Sequence, residues 1–175
     1  MQNFNKTKRY TLNAIRLKRG FTLVELILYG ALLMILIYVL TDVFTSALDV
    51  QLESQGTSSV EQDGRFILSR LNNDILNAQT VIIPALPGSQ SATLQLTTGN
   101  INYVYSLVSG NLQLVNNNGT DTLNSFDTTV SGLTFQRFGN NNRNDTIKIV
   151  FTLTSKATRT SGPNRQTFQE TVAPR

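Results

Sequence analysis

The chain has 175 residues, 40% of them hydrophobic and 15% charged, with a formal net charge of +4 and a pI near 9.6. It contains neither cysteine nor histidine. That excludes disulfide cross-links and removes both the commonest general base and the commonest transition-metal ligand. The positive charge is unevenly spread: Lys6, Lys8, Arg9, Arg16, Lys18 and Arg19 all precede Phe21, with no acid among them. Without residues 1–20, nine basic side chains stand against eleven acidic ones, a net of −2. The high pI is therefore no sign of nucleic-acid binding by the rest of the chain.

In chain order, the basic segment 1–20 is followed by an apolar segment at 21–41. From Leu26 to Thr41 there is no charged residue, and the run is about as long as one bilayer crossing, roughly 20 residues. A basic cluster before such a run holds its own side in the cytoplasm and sends the C-terminal part outward. A secretory signal peptide would have a shorter apolar core and a small-residue cleavage site after it, whereas Gly20 lies before the run. Glu25 sits close to the start of the run, where a charged group in a membrane helix costs on the order of 2.5–3.5 kcal/mol. It must be paired there, used, or reach the interface by itself.

The octet Arg19-Gly20-Phe21-Thr22-Leu23-Val24-Glu25-Leu26 resembles the prepilin processing motif of type IV pilins and type II secretion pseudopilins. The resemblance implies cleavage after Gly20 by a prepilin peptidase, methylation of the new N-terminal Phe21, and a role in filament assembly for Glu25. In that family the carboxylate meets the free α-amino group of a neighbouring subunit, and pairing is what makes a buried charge tolerable. The implied partners are the peptidase, other pilin or pseudopilin subunits, an assembly platform in the inner membrane, and membrane lipid before assembly. The implied location is a single pass through the cytoplasmic membrane, then a pilus or pseudopilus.

Residues 42–79 continue with helical periodicity. Val43, Phe44, Ala47, Leu48 and Leu52 form a stripe, with Asp42, Asp49 and Glu53 opposite, so the membrane helix is expected to run on as an amphipathic rod. Many major pilins carry a proline here; this chain has none, and no kink is expected. Gly56 and Gly64 are the expected weak points, each costing about 1 kcal/mol relative to alanine, while Gly30 suits close helix packing. From Ser58 to Gln79, the residues Val60, Ile67, Leu68, Leu71, Ile75 and Ala78 share one face, read as core under a sheet. Glu61 and Arg65 form a favourable i,i+4 pair on the exposed side. Glu61-Gln62-Asp63-Gly64-Arg65-Phe66 and Asn73-Asp74-Ile75-Leu76-Asn77-Ala78 resemble the helix of J-type minor pseudopilins and W-type minor pilins. This implies a minor subunit, placed at a filament tip.

Residues 80–175 have a period of two. Pro84, Pro87 and Gly88 mark a loop. Ala92 to Thr97 alternates as a half-buried strand. Asn102–Val108 and Leu112–Val115 are joined by the hairpin turn Ser109-Gly110-Asn111, and Asn116–Gly119 closes the second of them. Val130–Phe138 and Thr146–Thr154 make another pair around a polar loop tip at 139–145, with Ile147, Ile149, Phe151 and Leu153 facing one way. A short strand fits Gln166–Val172. One long helix followed only by strands predicts an α+β fold, the helix packed on an antiparallel β-sheet, which is also the pilin architecture.

No catalytic set emerges, and the chain is read as a non-enzyme. Without His or Cys the familiar nucleophile–base pairs cannot be built, and the only lysines outside the leader are Lys148 and Lys156. The carboxylates are scattered, so neither a metal nor a cofactor is expected; the Asn-rich loop holds only Asp145 and reads as a solvated tip. Tyr103 and Tyr105 share a strand face and read as core or cross-strand packing. Asn118-Gly119-Thr120 and Asn144-Asp145-Thr146 match a glycosylation acceptor pattern that recurs by chance in Asn-rich chains. Many pilins carry a C-terminal disulfide, and this chain departs from them there. Two other classes remain open. One is a signal-anchored extracytoplasmic binding protein that is never assembled. The other is a DNA-binding tip subunit of a competence pilus, which would need a basic patch from Arg137, Arg143, Lys148, Lys156, Arg159 and Arg165; nucleic acid is the less favoured partner.

Overall fold

The structure, a computed structural model, describes residues 20–140, 143–157 and 162–174. The basic leader before Gly20 therefore lies outside the described residues. One helix, α1 (Leu23–Leu76), precedes nine strands: β1 (Thr80–Ile83), β2 (Gln90–Ser91), β3 (Leu94–Thr98), β4 (Ile101–Val108), β5 (Asn111–Asn116), β6 (Gly119–Thr122), β7 (Thr128–Asn140), β8 (Arg143–Ser155) and β9 (Arg165–Val172). The chain divides into two compact units, one ending at Phe44 and one spanning Thr45–Arg175.

In the first unit the apolar side chains from Leu23 to Leu40 are all exposed. The segment Leu23–Thr41 rises about 28 Å at helical pitch, close to the roughly 30 Å of a bilayer's hydrocarbon core. The helix is long and apolar enough to cross a membrane, which is compatible with a single-pass anchor. Where the run ends, the Thr41 hydroxyl donates back to the Ile37 carbonyl at 2.8 Å, so the side chain needs no water partner.

In the second unit, α1 buries Gly56, Val60, Asp63, Gly64, Ile67, Leu71, Asp74 and Ile75. Four of the six residues assigned to the apolar face from periodicity lie on that stretch, and Ala78 joins the core just beyond it. Leu68 is partly buried at the margin. Glu61 and Arg65 pair on the exposed side at 3.5 Å.

Two antiparallel sheets are present where the sequence suggested one. The first has order β1-β3-β4-β5-β6 and the second β2-β7-β8-β9. Alternation gave the strongest strand correctly: Ile147, Ile149, Phe151 and Leu153 of β8 are all fully buried. Ser109 and Gly110, with φ of 51° and 79°, make the two-residue turn between β4 and β5, whose closing pair is Val108 with Asn111. Positive φ at both positions is what matches the right-handed twist of the flanking strands.

Several expectations need correction. The helix runs unbroken through Gly56 and Gly64, the two expected weak points, and at each of them another element comes close. A Cβ at Gly56 would lie 3.0 Å from the Ser155 hydroxyl, and one at Gly64 would run into the tip of the Phe168 ring. Strands β1, β2 and β6 were not anticipated. The loop expected at 139–145 is shorter, since β7 and β8 continue into it and pair Asn140 with Arg143.

Candidate functional site

The helix start is built from its own side chains. Thr22 precedes the first helical residue, and its hydroxyl accepts from the Glu25 backbone N–H at 3.2 Å. That is the N-cap bond of a Thr-x-x-Glu sequence, in which the glutamate would ordinarily reach back to the cap. Here the carboxylate is engaged in the other direction: the Tyr29 hydroxyl donates to Glu25 Oε1 at 3.4 Å. The Tyr29 ring also meets the Phe21 ring edge-on, with centroids 6.4 Å apart and planes at 80°. The structure therefore brings Phe21 and Glu25 together through a residue that sequence reasoning did not single out. Its position, four residues after the acid, was the available signal.

Among the described residues, nothing requires Gly20 to be glycine. Its φ lies outside the left-handed region, and a Cβ there would meet nothing within 4 Å. Gly30 is equally uncrowded, although a mid-helix glycine costs about 1 kcal/mol. Among the described residues neither glycine is explained by packing.

Three polar nodes hold the second unit, and none was anticipated. Asp63 is buried under the β6–β7 connection. Its Oδ2 accepts from the Ser125 N–H at 2.9 Å, the Ser125 hydroxyl at 2.7 Å and the Thr128 hydroxyl at 2.5 Å. Beside it, buried Asn124 accepts from the Leu112 N–H and donates to the carbonyls of Ser125 and Thr128. Asp74 accepts from the Arg70 guanidinium at 2.9 Å and from the Tyr105 hydroxyl. Burial first, and then the hydrogen bond and charge of Asp74, hold the Tyr105 phenol well above its ordinary value of 10.0. Tyr105 is thus core, and Tyr103 packs against that core. The third node is Arg137, which pairs with Asp145 and donates to the carbonyls of Val81, Pro84 and Ala85.

These nodes bear on the basic patch. Arg137 is consumed by its ion pair and three carbonyls. Lys156 donates to the Phe126 carbonyl at 2.7 Å and sits over the Phe126 ring at 4.7 Å. Lys148 lines a surface depression with Gln90, Thr134, Gln136 and Val150. Arg159 and the Arg143 side chain lie outside the described residues. Two of the six cations are thus used inside the fold. Among the described residues no cluster of three or more carboxylates could hold a metal. The chain matches no known family model, curated protein or solved structure.

Proposed function

We propose that this chain is a minor pilin or pseudopilin, a structural subunit processed by a prepilin peptidase and assembled by its N-terminal helix into a type IV pilus or type II secretion pseudopilus. The observation that carries the proposal is the octet at residues 19–26, set directly against a membrane-length helix with one carboxylate in its first turn. Gly20 supports it further: among the described residues nothing packs against this glycine, as expected of a residue read by a peptidase. In this reading the chain enters the membrane with its N-terminus inside and loses residues 1–20. Phe21 is methylated, and Glu25 pairs with a neighbour's α-ammonium as the helix leaves the bilayer. The second unit stands outside as the exposed part of the subunit.

The test is the intact mass and N-terminal residue of the protein from cells with an active prepilin peptidase. A chain starting at methylated Phe21 is the expected result. A chain still starting near Met1 would make this a plain signal-anchored protein and remove the role given to Glu25.

A further inference from the structure

We infer that Tyr29 is the positioning residue of Glu25: it holds carboxylate Oε1 and so presents Oε2 to the cation of a neighbouring chain. The role rests on the filament-subunit reading above. Glu25 lies in the first turn of a helix whose next charged residue is Asp42. In hydrocarbon a carboxylate keeps its charge only with partners close at hand. Among the described residues its carboxylate partner is the Tyr29 hydroxyl, at 3.4 Å. Tyr38 is the next side chain along the run that carries a hydroxyl, more than two turns further on.

The geometry is specific to a tyrosine. Glu25 and Tyr29 are spaced by four and share one helix face, and Phe21, just before the Thr22 cap, reaches the same ring. The ring of Tyr29 rests edge-on against Phe21 while its hydroxyl reaches Glu25. An edge contact on one side of the ring restricts it, so the hydroxyl's bond costs less rotamer freedom. The Thr22 cap takes the Glu25 N–H, so the acid's backbone is anchored independently of its side chain. The carboxylate is thereby satisfied at one oxygen while the subunit waits in the membrane, and its orientation is tied to the residue that becomes the new N-terminus. Phenylalanine would keep the ring contact and lose the hydroxyl, which makes Tyr29→Phe the selective probe.

The experiment has a spectroscopic arm and an assembly arm. Ultraviolet resonance Raman spectra of the mature chain in micelles, wild type minus Tyr29→Phe, isolate Tyr29 among the four tyrosines that remain after residue 20. The difference is expected to show a donating hydroxyl, and that signature is expected to vanish when the same pair is recorded in a Glu25→Val background. A Tyr29 signature indifferent to Glu25→Val would overturn the inference. In sheared filaments, recovery of Tyr29→Phe is expected to fall roughly three- to tenfold, the scale of one lost hydrogen bond, with cleavage and methylation unchanged. If Tyr29→Phe is recovered like wild type while Glu25→Val is lost, the positioning role fails and the filament reading stands. If both are recovered like wild type, the filament reading itself fails and takes this role with it.

Discussion

Replacing Gly64 by alanine sets two effects of opposite sign against each other. In an ordinary helix interior the substitution stabilises by about 1 kcal/mol, which for a domain of this size is roughly 3–5 °C in Tm. Here α1 meets β9 at that residue, and a Cβ would overlap Cζ, Cε1 and Cε2 of Phe168. The ring cannot simply swing aside, because it is stacked on the buried Phe151 with centroids 5.5 Å apart and planes at 17°. Moving it forfeits a stacking contact of about 0.5–1.5 kcal/mol, and overpacking a filled site costs about 1–3 kcal/mol. The net expectation is a loss of about 1–3 kcal/mol. Thermal unfolding of the mature chain in mild detergent, followed by near-ultraviolet circular dichroism, measures it. In a Phe168→Ala background the obstacle is gone, and the same substitution should now stabilise; the difference between backgrounds is the coupling. Gly64→Ala raising Tm equally in both backgrounds would refute the reasoning. At Gly56, where the nearest contact is the Ser155 hydroxyl at 3.0 Å, alanine should be close to neutral.

Asp63→Ala strands three donors at once, and unfolding should show a loss of about 2–4 kcal/mol; Asp63→Asn, which keeps an acceptor oxygen, should lose less. The raised Tyr105 phenol predicts alkaline sensitivity. A group whose folded pKa is raised contributes fully below its unfolded value and loses that contribution as pH climbs, so stability should fall above pH 10 by about 1.4 kcal/mol per unit. Tyr105→Phe should be less stable at neutral pH, having taken a partner from Asp74, yet show a shallower decline above pH 10; an unchanged slope would count against the burial argument. Gly20→Val should block processing, read as retention of the precursor mass, and normal maturation of that variant would contradict the motif. Glu25→Val should be cleaved normally but be missing from sheared filaments.

What could be read from the sequence was local and periodic. The stripe Val60, Ile67, Leu71, Ile75 and Ala78 and the alternation through β8 each bury one face, and a buried face writes itself into the spacing of apolar residues. Strand β6, Gly119-Thr120-Asp121-Thr122, is exposed at every position. It exists because β5 offers it an edge, and nothing in its own residues says so. The carboxylates of Asp63 and Asp74 sit on the same buried face as Ile67 and Leu71, a visible anomaly, and Arg70 is a local i,i+4 partner of Asp74, but Ser125 for Asp63 and Tyr105 for Asp74 are 62 and 31 residues away. Long-range satisfaction of a buried acid leaves no local pattern. At the helix start, Gly20, Phe21 and Glu25 were singled out by a motif, whereas Tyr29 passed as one more apolar residue of a membrane run. For the glycines at 56 and 64 the sequence offered only helix propensity, which describes a helix alone, and not the neighbours Ser155 and Phe168 that tertiary contact brings to them.

The core that α1 closes is made without sulfur. The chain has two methionines, Met1 and Met34, and no cysteine, so the whole of Thr45–Arg175 offers neither thiol nor thioether to an oxidant. Its cross-connections, Asp63 to Ser125 and Thr128 and Asp74 to Tyr105, are made and unmade without electron transfer. Such a domain needs no thiol oxidase or disulfide isomerase to reach its fold, cannot be trapped by mispaired bridges, and is not opened by reductants. The peroxide ladder of sulfur oxidation has no first rung in it. An aerated surface and an anoxic one are, for this fold, the same surroundings.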